Sequence, residues 1–364
     1  MKIREKLHRL ISKFSCLHSL IWVISVMFYV SCQNQKTLNA SDKNDKAVNC
    51  LKDCKVTPIN DYPSASGIVT IDSTIYIIGD DANELLIFSE KRVRIPFPGF
   101  YPLNKKGRVF KKDKLDFEAL LHLKSDSIIW GWGSGSKYPN RYVQMTYDLR
   151  TNKVKFNSMT HTYRKLQKDA KIAPKKWNIE GALTVDNNLI LINRETNSLL
   201  FYALSDWKTY FKDSSTEVPR LKNIIYLDSL MPSIQGVKST LSGGDYWKSK
   251  NGILLSASVE DDEGIIDDGA ILGSFLCFIP LADSSNQTLN PLDINLSKFM
   301  KMEVKYKENP IKLEGVSINP KDEIFGVVDN DDGSSLLIKF STLEIETQVH
   351  EPLEPAHPEK KQTP

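Results

Sequence analysis

From Ser64 onward the chain alternates short apolar runs with clusters of Asn, Asp, Gly and Pro. Runs of that length between turn residues predict strands, and pairs of them predict β-hairpins. The clearest pair is Lys312–Ser335, KLEGVSINPKDEIFGVVDNDDGSS. There the acidic turn Leu313-Glu314-Gly315 opens the run Val316–Ile318, Asn319–Asp322 turns the chain, and Ile324–Val328 ends in Asp329-Asn330-Asp331-Asp332-Gly333. The start of a hairpin's first strand and the end of its second share a sheet edge. Glu314 is therefore expected beside Asp329 and Asp331, although about 15 residues separate them.

The same pattern recurs. Asp116–Leu120 leads into Ile128–Trp132 and Gly133–Ser136; Asn178–Ala182 leads into Leu189–Ile192 and Asn193–Glu195; Ser64–Ile68 leads into Ile75–Ile78 and Gly79–Asp81. A degenerate copy, Thr240–Gly243, is followed by Ile253–Ala257 and the acidic run Glu260–Glu263. The units start near residues 66, 118, 180, 242 and 314, a period of roughly 50–70 residues made only of strands, which predicts a β-propeller. About twenty strand-like runs give an all-β fold, a single propeller of five four-stranded blades over 55–350, with six blades as the alternative. Lys55–Ile59 is the candidate strand to close the ring on the last blade. Tyr163–Lys171 and Ser205–Lys212 read as short helices or structured loops and Asp283–Ser297 as a polar surface excursion. Residues 351–364, rich in proline and mixed charge, read as a disordered tail.

The amino terminus changes the charge picture. Residues 1–31 carry five basic residues against Glu5, so the net +3 of the whole chain hides a remainder with 43 basic and 44 acidic residues. A near-neutral remainder gives no support for a nucleic-acid partner. The basic start, the apolar run Leu20–Val30 and then Ser31-Cys32 have the layout of an export signal over 1–31. Small residue followed by Cys resembles a lipobox, which makes Cys32 the lipidation candidate and 32–54 a lipidated tether; an uncleaved signal anchor is the alternative. The expectation is an exported protein held to the membrane of a bacterial cell envelope. Cys50 and Cys54 are a disulfide candidate in that oxidising setting, whereas Cys277 lies in an apolar run and reads as a buried thiol.

Candidate chemistry gathers at the hairpin ends. None of the six His residues has a His or Cys partner at ligand spacing, and no nucleophile-elbow, dinucleotide or P-loop motif is present. Gly131–Ser136 reads as a tight rim turn or as a backbone anion nest. If every unit opens an inner strand, the recurrent carboxylates meet at one mouth. Asp81, Glu118, Glu180, Glu260, Glu314, Asp329 and Asp331 are then metal candidates for Ca²⁺, a hard cation that takes six to eight oxygen ligands. Lys114, Ser134, Arg141 and Arg194, with Lys137 and Lys312 near the same turns, are anion-binding candidates. Metal with phosphate-binding cations is a layout for phosphoester hydrolysis. Asp, Asn and Gly also recur at hairpin ends because turns need them, and a repeated Glu can serve structure by accepting backbone N–H bonds. Both roles for the Glu remain open at this level.

The units DFEAL…GSGS, NIEGA…NRE, DDGAILGS and KLEGVSI…DNDDGSS resemble an uncharacterised family of bacterial phytase-like β-propeller lipoproteins, related to "esterase-like activity of phytase" domains, over roughly Pro63–Phe340. The resemblance implies a propeller and phosphoesterase chemistry. It makes Glu118, Ser134, Arg141, Glu180, Arg194, Glu260, Asp267, Asp268, Glu314, Asp329 and Asp331 the signature positions, and it adds Asp267 and Asp268 to the metal candidates. The chain departs from that pattern at Asn193-Arg194-Glu195, where a glycine commonly follows the arginine, and at Thr240–Gly244, which lacks the Glu. Two functions stand side by side: a lipid-anchored, Ca²⁺-dependent phosphoesterase acting on a small phosphorylated molecule, and a non-catalytic propeller binding a ligand or an envelope protein.

Overall fold

The computed structural model describes residues 46–49, 54–99, 101–213, 216–261, 269–281, 299–306 and 309–340. The chain divides into two units, Met1–Lys46 and Ala47–Pro364; of the first only Lys46 falls among the described residues. The expected export signal, Cys32, Cys50, Asp267, Asp268, the excursion 283–297 and the tail 351–364 all lie outside them. No helix among the described residues is long and apolar enough to cross a membrane.

Two strands, β1 (Lys46–Asn49) and β2 (Lys55–Ile59), precede the repeats. Blade one is β3 (Ala65–Ile71), β4 (Thr74–Gly79), β5 (Glu84–Phe88) and β6 (Arg92–Pro96). Blade two is β7 (Phe117–Leu123), β8 (Ile128–Gly133), β9 (Val143–Asp148) and β10 (Lys153–Ser158). Blade three is β11 (Ile179–Val185), β12 (Asn188–Asn193), β13 (Ser198–Ala203) and β14 (Asn223–Tyr226). A two-stranded ribbon, β15 (Ser233–Ile234) with β16 (Val237–Lys238), leads to blade four. That blade is β17 (Thr240–Trp247), β18 (Gly252–Asp261), β19 (Ala270–Pro280) and β20 (Met300–Tyr306), with β21 (Asn309–Pro310) outside β20. Blade five is β22 (Lys312–Ile318), β23 (Ile324–Asp329) and β24 (Ser335–Phe340), completed by β2. Five blades, not six, form the ring, and the closing strand is the predicted one: β2 runs antiparallel to β24 with Ile59 opposite Ser335 and Lys55 opposite Lys339.

Alternation along the strands explains the nearly continuous apolar runs. Successive side chains point to opposite faces of a strand, and each blade is covered on both faces. In β12, Leu189 and Leu191 enter the core shared with blade two, while Ile190 and Ile192 enter the core shared with blade four. Similar cores lie between blades four and five, five and one, and one and two. Each fully buried Leu or Ile contributes about 1.5–3 kcal/mol relative to an exposed one. Cys277 is buried in the core between blades three and four, as expected.

Both segments expected as short helices or structured loops are helical. In α1 (Thr160–Ala170) Tyr163, Leu166 and Ala170 share a buried face at helical spacing; in α2 (Leu204–Lys212) Trp207 and Tyr210 do the same. Both faces join the aromatic core of blades two and three, where Trp207 meets Trp132 edge-on with ring centroids 5.0 Å apart. Thr162 Oγ1 and Tyr210 OH share a 2.8 Å hydrogen bond that ties the helices together.

Candidate functional site

The inner strands β3, β7, β11, β17 and β22 neighbour one another around the axis. Each carries a β-bulge at its start, between Ala65 and Gly67, Phe117 and Ala119, Ile179 and Gly181, Leu241 and Gly243, and Leu313 and Gly315. A bulge leaves one residue out of the ladder and re-aims its side chain. Those residues are Ser66, Glu118, Glu180, Ser242 and Glu314, and all but Ser242 line one cleft. The small residue after each bulge has its own cause. A Cβ on Gly315 would stand 2.4 Å from the carbonyl oxygen of Ser66, and one on Gly67 would stand 3.0 Å from the backbone of Ala119. The Glu-Gly pair of the sequence is thus one residue for the mouth and one for closing the inner ring.

The same register supplies two further lining positions in each unit. Two residues before the bulge stand Asp116, Asn178 and Lys312; just past the opposite end of the hairpin, or at its last residue, stand Asp80, Arg194 and Asp329. Lys114 and Arg141 complete a wholly polar cleft of about 180 Å³.

On the side of blades one and two, Lys114 Nζ lies 2.5 Å from Asp80 and 2.7 Å from Asp116, and Arg141 Nη1 lies 2.8 Å from Asp116. The Ser134 hydroxyl donates to Asp116, as does that of Ser136. Asp81 stands behind this group, 2.5 Å from Arg108. On the side of blades three and five, Arg194 pairs with Glu260 and lies 3.8 Å from Glu314, while Lys312 Nζ lies 2.9 Å from Glu314 and 3.5 Å from Glu260. Glu180 accepts a 2.7 Å hydrogen bond from Asn178 between the two halves. Glu118 is only 8 % exposed and has no hydrogen-bond partner among the described residues. Asp80 Oδ1 and Glu314 Oε2 are buried without one. One oxygen each of Asp80, Asp116 and Glu118 lie within 4.8 Å of one another.

This crowding sets the protonation of the mouth. Burial, then Glu180 and Asp116, hold the Glu118 carboxyl well above the usual carboxylate range. Burial raises Glu180 to about 8 against the pull of Arg194, with Glu314 adding to the rise, and burial with Asp331 raises Asp329 to about 8. Asp80 is pushed up to about 6, again by burial, which outweighs Lys114. For Asp116 the balance reverses: burial opposes ionisation, yet Lys114 and Arg141 together hold it low. The carboxylates in turn outweigh burial at Lys114, Arg194 and Lys312, so these stay charged.

Most expected site residues converge. Glu118, Glu180, Glu314, Asp329, Lys114, Arg141 and Arg194 line the cleft; Glu260, Ser134 and Asp81 touch residues that do. Asp331 sits at the edge, its N–H donating to Asp329 and its carbonyl accepting from Arg108. Lys137 is exposed and lines nothing here. Sequence reasoning missed Asp116, Asn178 and Ser66 as lining residues, and Arg108 behind them. The offset of two before each bulge would have found the first two. Arg108 comes from a long connection with no repeat to mark it.

None of the curated proteins compared with the chain matches it. Among solved structures it is similar to a glutaminyl cyclase from Myxococcus xanthus at 10% identity and TM-score 0.39, over 81% of this chain and 98% of that one. A glycosyl hydrolase from Bacteroides ovatus is similar at 9% identity and TM-score 0.44, over 78% of this chain and 84% of that one. A virginiamycin B lyase from Staphylococcus aureus is similar at 9% and 0.37, over 79% and 99%. Likenesses of that degree say nothing about chemistry. At the level of sequence, residues 61–341, from just before the first inner strand to just after β24, match a "Family of unknown function (DUF6929)", and the chain belongs to that family.

Proposed function

We propose that the mouth of this propeller binds a small phosphorylated ligand together with Ca²⁺, on a protein anchored to the cell envelope through Cys32. The observation that supports the reading most is the mixed composition of the cleft: Lys114, Arg141, Arg194 and Lys312 converge on a small polar space that also holds more carboxyls than they neutralise. Four cations fixed by ion pairs suit a tetrahedral oxyanion. Surplus carboxyls kept protonated by burial and by one another suit a hard divalent cation, whose charge favours their ionised form.

The donor set fits such an ion. Asp80, Asp116 and Glu118 would hold it, with oxygens already within 4.8 Å of one another and Asp80 Oδ1 buried without a hydrogen bond. Lys114, which lies between Asp80 and Asp116, is the cation such an ion would compete with. When bound, the ion would supply Lewis-acid polarisation of a phosphoryl oxygen. Arg141 and Arg194 orient the oxyanion from opposite sides. Hydrolysis of the ester is the second reading, favoured by this coincidence of metal ligands and cations in one cleft.

Calorimetric titration with inorganic phosphate and with a simple phosphomonoester, each with and without Ca²⁺, tests binding. We expect Ca²⁺ to raise the affinity at least tenfold and Arg141→Ala to lower it. Equal affinity with and without the ion would reject the joint site. Release of phosphate from the ester decides between an enzyme and a binding protein. For the anchor, Cys32→Ser is expected to leave the precursor unprocessed or to move the protein out of the membrane fraction; unchanged fractionation would reject it.

A further inference from the structure

We infer that the rim of the mouth is a docking surface for an anionic lipid bilayer, formed by the connection between β6 and β7 together with that between β8 and β9. This goes beyond a lipid anchor at Cys32 and rests on neither that anchor nor the ligand reading.

The first connection is long but firmly held. Leu103 and Val109 form an isolated bridge, Asn104 N–H donates to Arg108 O at 2.8 Å, and Val109 N–H donates to Asp81 O at 2.8 Å. Arg108 Nη1 reaches across to the Asp331 carbonyl of blade five at 3.1 Å. The second connection is tied to the first, because Asn140 Nδ2 donates to Lys112 O at 2.9 Å. Both therefore present defined surfaces beside the cleft, into which they send Arg141 and Lys114.

What they turn outward is basic and apolar at once. Between Leu103 and Lys114 the sequence has six basic residues and one acidic residue, Asp113. Arg108 and Lys114 face the carboxylates of the mouth; Lys105, Lys106, Lys111 and Lys112 are exposed, as is Lys137 on the second connection. Five large hydrophobic side chains are exposed among the described residues. Three of them are here: Leu103 at 45%, Phe110 at 43% and Tyr138 at 54%. The remainder of the chain beyond the export signal is close to neutral, so this is a local patch.

Lysines are drawn to the negative surface potential of an anionic leaflet, and aromatic and aliphatic side chains between them enter the headgroup region. A soluble polyanion would use the lysines and gain nothing from an exposed leucine. Docking this rim turns the mouth towards the bilayer surface.

The test uses the full chain and two kinds of vesicle, one of phosphatidylcholine alone and one containing a third of phosphatidylglycerol. Lys105→Glu/Lys106→Glu/Lys111→Glu/Lys112→Glu is expected to lower affinity for the anionic vesicles at least tenfold and to leave the neutral ones unchanged. Lys153→Glu/Lys155→Glu, on exposed positions of β10, is the control and should change neither. Phe110→Ser/Tyr138→Ser is expected to weaken binding in a way that added salt does not mimic. Retention of the full anionic preference by the quadruple variant overturns the inference, as does an equal loss in the control. Lysine-dependent binding of a single-stranded oligonucleotide as tight as that of vesicles would assign the patch to nucleic acid instead.

Discussion

Glu314 and Gly315 show how much two adjacent residues decide. The first is put outside the ladder by the bulge and aimed into the cleft; the second lets β22 approach β3. Gly315→Ala is therefore expected to destabilise the fold by about 1–3 kcal/mol, the range for forced overpacking, because the obstructing atom is backbone. Urea unfolding measures it, and an unchanged midpoint would reject the close-approach account. Glu314→Gln should keep the fold while removing the charge that Lys312 and Arg194 face. Its expected signature is a lowered thermal midpoint, because Lys312 and Arg194 stay largely buried with one carboxylate fewer to face. These Glu positions were legible in the sequence because hairpin ends share an edge. Asp116 was not, since its role depends on the bulge register and on the convergence of Lys114, Arg141 and Ser134 from elsewhere in the chain.

Among the elements, the closing strand and the fourth blade are the most informative. β2 completes blade five although its residue nearest in sequence to its partner, Ile59, lies 276 positions before Ser335 (335 − 59). Removal of residues 1–59 should abolish cooperative unfolding, whereas removal of 1–53 should preserve it; calorimetry distinguishes the two. Blades one and four lack the Glu of the other three repeats, and in blade four the departure has a physical reason. Its bulge is intact, but the bulged residue is Ser242, whose hydroxyl donates at 2.6 Å to Leu313 O and clasps the neighbouring inner strand. Blade number and closing strand could be read from the spacing of apolar runs. The packing of α1 and α2 over one core could not, because the sequence does not say which blades share Trp132 and Trp207. Trp207→Ala, at a fully buried site, is expected to cost about 3–5 kcal/mol.

The whole molecule should respond to pH in an unusual direction. Glu180 and Asp329 have folded values of about 8, above their ordinary values of 4.5 and 3.8. Over that interval the folded state binds more protons than the unfolded state, so stability falls as pH rises from about 4 to about 8. Thermal midpoints measured across the range should decline, and Glu180→Gln should flatten the decline. Added Ca²⁺ should restore the midpoint at the alkaline end, because a ligand that binds only the folded state stabilises it.

The mouth as a place where crowded carboxyls wait for a cation is the central claim. Calorimetric titration of Ca²⁺ into the protein at pH 7, repeated in two buffers of different ionisation enthalpy, counts the protons released on binding. We predict binding with release of about one proton or more per ion, as expected when ligands must deprotonate, and a smaller release in Glu118→Gln. Binding without proton release, or no binding at all, would contradict the account.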